Sequence, residues 1–183
     1  MKVISVRHNA DVLVGDYMFS DNVKEQVLSH LKYCNPIPQD NSNVKASIHT
    51  EWDWEPNNIT FRNLKSYIRE EIERHFRPGY MTSGHIDRLK CFNFWANVYE
   101  KGEYANSHDH RNYDFSFAYF VKCNSQSAPL ILDDSKKRIN AKEGRFIAFP
   151  SFLKHSVPVH RSDETRITLS GNFVLKDKNE KWV

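Results

Sequence analysis

The stretch Gly144-Arg-Phe-Ile-Ala-Phe-Pro-Ser-Phe-Leu-Lys-His155 joins a short apolar run to a single histidine. Its first half, residues 145–149, is rich in aromatic and β-branched side chains and lies between a glycine and a proline. Those are the marks of a short buried β-strand. The sequence therefore predicts a strand with His155 placed shortly after its end.

Further runs of the same kind surround this stretch. They cover residues 92–99, 115–121, 130–132 and 166–174. Upstream, apolar residues recur at helical spacing over residues 20–31 and again over residues 60–76, where Arg77-Pro78-Gly79 predicts the end of the helix. Five or more strands after two helices indicate an α+β, mostly β protein: a jelly roll with the N-terminal helices packed on one sheet.

Length and charge narrow the class of protein. A chain of 183 residues is long enough for one hydrophobic core, so we expect a single domain over residues 1–183, with residues 1–88 as a helical support region and 89–176 as the jelly-roll core. The formal net charge is +3 and the cations form no long run, which gives little support to a nucleic-acid partner. The composition also excludes a membrane-spanning protein.

The cysteines and the start of the chain indicate a compartment. Cys34, Cys91 and Cys123 form no CxxC pair and leave one thiol over, which favours a reducing environment. The first twenty residues mix charged and apolar side chains, unlike a signal peptide. We therefore expect a cytoplasmic protein.

Three of the nine histidines have the spacing of metal ligands. His108 and His110 stand two apart near a predicted strand, where residues i and i+2 share one face, and a jelly roll could bring His155 beside them. Imidazole nitrogen suits iron, copper, nickel or zinc. The others have no partner at ligand spacing and are expected to be surface or hydrogen-bonded residues; they are His8, His30, His49, His75, His85 and His160.

The motifs from Trp95 to Phe173 resemble one known superfamily. They are Trp95-Ala-Asn-Val-Tyr99, His108-Asp-His110, Phe149-Pro-Ser-Phe-Leu-Lys-His155 and Arg166-Ile-Thr-Leu-Ser-Gly-Asn172. This pattern is similar to the 2-oxoglutarate- and Fe(II)-dependent oxygenases, in particular their prolyl-4-hydroxylase-like branch. The resemblance implies a double-stranded β-helix, Fe(II) as cofactor, 2-oxoglutarate and O2 as cosubstrates, and hydroxylation of an unactivated C–H of a small molecule or of a prolyl or other peptide side chain.

The resemblance also assigns roles at the metal. It makes His108 and His155 the two histidine ligands. At the third ligand position the chain departs from the family pattern, because a carboxylate is usual there and this chain has His110. Asp109 and Asp114 are the alternative carboxylate ligands. The sequence alone leaves these alternatives open.

The same resemblance implies a binding site for the cosubstrate. Arg166 would pair with the distal carboxylate of 2-oxoglutarate, because a planar guanidinium can make two parallel charge-assisted hydrogen bonds. Asn97 and Tyr99 would contact the cosubstrate from a neighbouring strand. Thr168 and Tyr119 are further candidates, although an ordinary hydrogen bond within the sheet is the favoured explanation for both.

Two rival functions fit parts of the pattern. Gly102, His108-Asp-His110 and Asp114, followed by Gly144 and His155, approximate the two motifs of a metal-binding cupin, which would be an isomerase or a dioxygenase that needs no 2-oxoglutarate. Arg166 separates the two, since only a cosubstrate with two carboxylates needs a cation there. A metal-free jelly roll that serves as a binding or structural module is the other rival.

The segment 41–58 carries Trp52 and Trp54. Tryptophan pairs are usually half-buried packing residues, and binding of substrate is the alternative interpretation. A strand-rich domain also has sheet edges through which two copies could pair, so a homodimer is a further expectation.

Overall fold

The computed structural model describes residues 10–34, 43–54, 58–80 and 89–175. Its elements in chain order are β1 (Leu13–Asp16), α1 (Ser20–Leu31), β2 (Val44–Lys45), β3 (Ile48–His49), α2 (Ile59–Tyr80), β4 (Leu89–Tyr99), β5 (Tyr104–His108), β6 (Phe115–Lys122), β7 (Leu130–Leu132), β8 (Lys137–Ile139), β9 (Arg145–Pro150), β10 (His155–Val157) and β11 (Arg166–Leu175). Neither helix has a segment long and apolar enough to cross a membrane.

The strands form two antiparallel sheets. The larger has six strands in the order β1-β9-β6-β11-β4-β3, and the smaller has five in the order β2-β5-β10-β7-β8. Successive strands alternate between the sheets from β4 to β6, as a double-stranded β-helix requires. The mostly β, jelly-roll architecture predicted from the sequence is confirmed.

Both helices pack on the outer face of the six-stranded sheet. α1 contacts β6, and α2 contacts β4 and β9. The apolar stripes predicted for the two helices are the buried ones, and they consist of Val23, Val27 and Leu31 in α1 and Phe61, Leu64, Ile68, Ile72 and Phe76 in α2. At roughly 1.5–3 kcal/mol for each fully buried aliphatic or aromatic side chain, this contact is the main reason why the helices form.

The strands of the large sheet have side chains of two kinds. Along β4, Phe94, Ala96 and Val98 belong to the core under the helices, whereas Trp95 and Asn97 on the intervening positions face the space between the sheets. This alternation follows from the two-residue period of an extended chain. One face of the sheet therefore makes the core and the other makes a cavity.

The N-terminal region is less purely helical than the sequence predicts. Besides the two helices it supplies β1, which pairs with β9, β2, which pairs with β5, and β3, which pairs with β4. These strands have two to four residues, too few for a period to be recognised in the sequence. The N-terminal residues thus complete both sheets as well as covering one of them.

Candidate active site

Two histidines meet across a pair of neighbouring strands. His108 ends β5, His155 begins β10, and they are direct partners in the antiparallel register, with ring centroids 4.3 Å apart. Each Nδ1 faces a backbone carbonyl two residues earlier, at 2.7 Å for Asn106 and 3.1 Å for Leu153. A carbonyl can only accept, so Nδ1 carries the proton in both rings and Nε2 keeps a lone pair for a metal.

His110 completes the cluster from a loop. The sequence predicts that it shares a strand face with His108, but β5 ends at His108 and His110 lies two residues beyond it. Its backbone N–H donates to the carbonyl of Ser151 at 2.8 Å, which holds this part of the loop against the start of the β9–β10 connection. The His110 ring lies 5.2 Å from each of the other two rings, and one ligand nitrogen from each ring lies within 4.8 Å of the others.

Burial keeps two rings of the cluster, His110 and His155, uncharged. Desolvation, reinforced by the neighbouring His108, lowers the pKa of His110 to about 4 and that of His155 to about 3. Both rings are therefore neutral at pH 7, as a metal ligand must be. Three imidazole nitrogens that converge on one point suit a divalent first-row transition metal.

The three histidines open into a cavity of about 600 Å³ between the two sheets. Arg166, at the start of β11, lines the same cavity and is only 1% exposed. Its Nε donates to the carbonyl of Ala128 at 2.9 Å, and its guanidinium lies over the rings of Tyr99 and Phe120, at 4.8 and 5.1 Å from the centroids. Nη1 is buried and has no hydrogen-bond partner.

This guanidinium is a buried cation without a counter-charge. Burial lowers the pKa of Arg166, but an arginine stays protonated in proteins. An unpaired buried charge is costly, and a ligand carboxylate would satisfy the free edge of the fork with charge-assisted hydrogen bonds. The structure thus places a buried guanidinium with an unpartnered nitrogen and a potential metal site in one cavity.

Three of the other residues predicted to contact a cosubstrate line this cavity as well. They are Asn97, Tyr99 and Thr168. Asn97 and Thr168 are register partners on β4 and β11, and Oδ1 of Asn97 is buried without a partner. Burial raises the pKa of the Tyr99 phenol, so it stays protonated and able to donate at pH 7.

The prediction for Tyr119 is wrong. Its ring belongs to the core beneath the helices, where it lies 6.4 Å from the ring of Tyr17, and it is absent from the cavity wall. The reason is strand alternation, because Tyr119 shares the face of Phe115 and Phe117 on β6 whereas Ser116 and Ala118 face the cavity.

Neither alternative carboxylate joins the histidine cluster. The Asp109 carboxylate forms an ion pair with Nε of Arg111 at 2.9 Å, at the outer rim. Oδ2 of Asp114 accepts a hydrogen bond at 2.7 Å from the backbone N–H of Leu175. Among the described residues, the group that could hold a metal consists of His108, His110 and His155.

The two tryptophans of the N-terminal segment have different surroundings. Trp54 packs in the core, stacked on Phe94 at 6.3 Å, as expected for a packing residue. Trp52 instead is 43% exposed and lines the cavity, with its ring 4.6 Å from that of Trp95 and 6.2 Å from that of His110. An exposed indole beside the histidine cluster forms a wall that a bound molecule can contact.

Further cavity residues were not identified from the sequence. They are His49, Trp95, Ser116, Ser170 and Asn172, among others. Ser170 and Asn172 alternate with Leu169 and Phe173 on a predicted strand, so the two-residue period was a sufficient signal for them. His49 gave no such signal, because it comes from the two-residue strand β3.

His160 supports the Arg166 end of the cavity. It is fully buried, its Nδ1 accepts from the backbone N–H of Ala128 at 3.2 Å, and its Nε2 donates to the carbonyl of Glu164 at 2.8 Å. Since the carbonyl of the same Ala128 holds Nε of Arg166, the imidazole fixes the peptide that orients the guanidinium.

Comparison with known proteins supports the fold. In sequence, no family model and no curated protein matches this chain. In structure, it is similar to a viral collagen prolyl hydroxylase from Paramecium bursaria Chlorella virus-1, with a TM-score of 0.66 and 14% identity over 88% of this chain and 94% of that one. A Pseudomonas putida prolyl-4-hydroxylase gives a TM-score of 0.62 and 13% identity over 91% and 93%.

A third similar structure contains a bound peptide. It is a Trichoplax adhaerens prolyl hydroxylase in complex with a peptide fragment of the hypoxia-inducible factor, with a TM-score of 0.64 and 14% identity over 89% of this chain and 83% of that one. The chain therefore has the double-stranded β-helix fold of the 2-oxoglutarate- and Fe(II)-dependent oxygenases.

Proposed function

We propose that this protein is an Fe(II)- and 2-oxoglutarate-dependent dioxygenase that hydroxylates an unactivated C–H of its substrate, with release of succinate and CO2. One observation carries the proposal: three convergent imidazoles and a buried guanidinium with an unpartnered Nη1 share one cavity. A metal site and a carboxylate site together are what this cosubstrate requires.

In this proposal His108, His110 and His155 hold Fe(II). The backbone carbonyls of Asn106 and Leu153 fix the tautomers of two of these rings, so that their Nε2 lone pairs need no proton transfer before binding. Iron held by these three residues would supply the redox chemistry for O2 activation and C–H oxidation. The protein contributes binding, orientation and exclusion of water.

Arg166 binds the distal carboxylate of 2-oxoglutarate. The rings of Tyr99 and Phe120 contact the guanidinium, the Ala128 carbonyl accepts from its Nε, and Nη1 has no protein partner and is available to a ligand. Asn97 and Thr168 supply an amide and a hydroxyl on the floor of the cavity. The guanidinium needs no reorganisation on binding, which favours affinity.

A peptide side chain, such as a prolyl ring, is the substrate class that we propose. Its support is the peptide held by the Trichoplax adhaerens prolyl hydroxylase and the Trp52–Trp95 wall, because an indole face packs well against the C–H groups of a ring or an aliphatic side chain. The exposed position of Trp52 leaves room for chain on either side of the reacting residue.

The test is formation of succinate from 2-oxoglutarate by the protein loaded with Fe(II), with candidate peptides added. We expect His155→Ala to lose both iron and turnover, and Arg166→Ala to keep iron but lose turnover at ordinary cosubstrate concentrations. His75→Ala, on the exposed side of α2, is the matched control and should behave as wild type. Succinate formation that persists in both active-site variants would refute the proposal.

A cupin-type dioxygenase that does not use 2-oxoglutarate is the second candidate. The observation in its favour is the ligand set itself, since no carboxylate joins the three histidines among the described residues. Consumption of O2 with a substrate but without 2-oxoglutarate would establish it. If the purified protein binds no divalent metal, the metal-free binding module replaces both enzymes.

A further inference from the structure

The described lining of the cavity carries a net positive charge. It contains one permanently charged side chain, the Arg166 guanidinium, and no aspartate, glutamate or lysine. Asp109, which follows His108 and precedes His110, is paired with Arg111, and Asp114 accepts from the backbone N–H of Leu175. The described lining therefore supplies positive charge to this space, and the negative charge of Asp109, which acts on His110, is itself compensated by Arg111.

The positive charge of the cavity affects the charge balance of the complex with a metal ion and 2-oxoglutarate that the proposed function requires. Three histidine ligands are neutral, so a divalent metal ion together with Arg166 brings three positive charges into the cavity. Doubly charged 2-oxoglutarate compensates two of them and leaves one. A carboxylate in place of His110 would have removed this excess. A buried charge without a counter-charge is costly, which favours a further anion in the cavity.

We infer that the substrate of this protein carries an anionic group that binds beside the histidine cluster. The inference rests on the proposed function and narrows its peptide substrate to an acidic one, in which a carboxylate or a phosphate lies close to the side chain that is hydroxylated. The negative charge of the substrate then compensates the remaining positive charge, as a carboxylate ligand to the metal would otherwise do. Neutral substrates of the same shape bind less well.

The cavity has a suitable place for such a group. Ser170 lines it as the register partner of Trp95, and its side-chain hydroxyl, which makes no hydrogen bond within the described residues, can donate to a ligand. The Trp52 and Trp95 rings border the same region near His110. Arg166 and Ser170 stand four residues apart on one face of β11, so cosubstrate and substrate have separate positions along the strand.

The first test uses the wild-type protein with two small probes of equal shape. The complex with Fe(II) and 2-oxoglutarate is prepared without oxygen, and acetate or acetamide is titrated into it by calorimetry while the charge-transfer absorption of the bound cosubstrate is followed. We expect acetate to bind at least about tenfold more tightly than acetamide, with the absorption retained. The electrostatic attraction between two unit charges a few ångströms apart inside a protein exceeds the free energy that corresponds to that factor. Methyl phosphate in a parallel titration distinguishes a phosphate group from a carboxylate.

The second test changes the charge at the metal with two nearly isosteric variants. His110→Glu adds the missing negative charge and His110→Gln does not. We expect the preference for acetate over acetamide to survive in His110→Gln and to fall to about twofold or less in His110→Glu, since only the latter complex is already balanced.

The outcomes separate this inference from the proposed function. If the wild-type protein shows no charge-transfer absorption with Fe(II) and 2-oxoglutarate, the proposed function fails. If the absorption forms but acetate and acetamide bind equally well to the wild type, the proposed function stands and the anionic substrate is refuted. That measurement needs no variant, so misfolding of either substitution cannot obscure the answer.

Discussion

The two faces of the six-stranded sheet differ in kind although the same strands supply both. On the face toward the helices, Phe117 and Leu169 are packed in an apolar core. On the opposite face, Arg166, Thr168 and Asn97 are equally buried, yet Nη1 of the arginine and Oδ1 of the asparagine have no partner. The first face is almost entirely apolar, with the Tyr119 hydroxyl as a buried polar group that has no partner, whereas the second is lined by several polar side chains and holds a buried cation.

Because of this difference, residues that stabilise the fold and residues that could bind a ligand lie on opposite faces of the same strand. In β11 the odd positions contact the core and the even positions line the cavity. Substitutions on one face should therefore change the free energy of unfolding, and those on the other should change ligand binding. Each of the following experiments tests that division.

The largest effect on stability is expected for Leu169→Ala. This side chain is fully buried beneath the helices, and removal of a buried leucine typically lowers the free energy of unfolding by about 2–5 kcal/mol. Ser170→Ala, at the next position but on the cavity face, should change it by less than about 0.5 kcal/mol. Denaturant titration of both variants measures the two changes. Equal losses of unfolding free energy in Leu169→Ala and Ser170→Ala would contradict the division between the two faces.

The metal-free protein should lose stability as the pH falls below about 6.5. His110 and His155 have lowered pKa values in the folded state, about 4 and about 3, so the unfolded chain binds their protons first. Each histidine then removes up to about 1.4 kcal/mol of unfolding free energy per pH unit, until the pH reaches its folded-state pKa. Above about pH 6.5 these two residues cause no pH dependence.

Denaturant titrations at about pH 7 and about pH 5 measure this effect. His110→Gln removes one of the two groups and should reduce the difference between the two pH values. A variant whose stability falls as steeply as that of wild type would show that the folded cavity does not keep His110 neutral.

Arg166→Met should separate protein stability from 2-oxoglutarate binding most clearly. Removal of a buried guanidinium with an unpartnered Nη1 should leave the metal-free protein as stable as wild type, or more stable by about 1 kcal/mol, while 2-oxoglutarate binding is lost. Arg138→Met, on the exposed strand β8, is the control and should retain both properties. A loss of stability greater than about 2 kcal/mol would mean that the cation supports the fold.

The smallest effect is expected at His160, which acts on 2-oxoglutarate only through Ala128 and Arg166. His160→Gln should weaken cosubstrate binding by about threefold to tenfold, the value of one hydrogen bond. His160→Asn should weaken it less, because the shorter amide can keep the acceptor for the Ala128 N–H. Metal affinity should not change in either variant, and if both bind 2-oxoglutarate as wild type does, His160 does not position Arg166.

The sequence predicted those features that depend on regular alternation. The long strands β4, β6, β9 and β11 and both helices were identified because each carries a sustained apolar period over several residues. The three-residue strand β10 was not, since His155-Ser-Val157 lacks the unbroken aliphatic run by which the equally short β7, Leu130-Ile-Leu132, was identified. Its pairing with β5 nevertheless sets the distance between His108 and His155.

For the site, the sequence identified the residues but not always the reason for their position. His110 joins the cluster through a loop hydrogen bond to Ser151 rather than through strand alternation. Tyr119 was included although alternation with Phe117 on the same strand argues against it. The positions of Trp52 and His160 depend on contacts between distant segments, which no local pattern reveals.

The central claim is that one cavity holds Fe(II) and 2-oxoglutarate together, the metal on three histidines and the cosubstrate on Arg166. Anaerobic titration of the Fe(II)-loaded protein with 2-oxoglutarate tests it directly by visible absorption. We predict a metal-to-ligand charge-transfer band in the wild-type protein and its absence in His155→Ala and, at the same concentrations, in Arg166→Ala. Absence of the band in the wild type, or an unchanged band in Arg166→Ala, would contradict the claim.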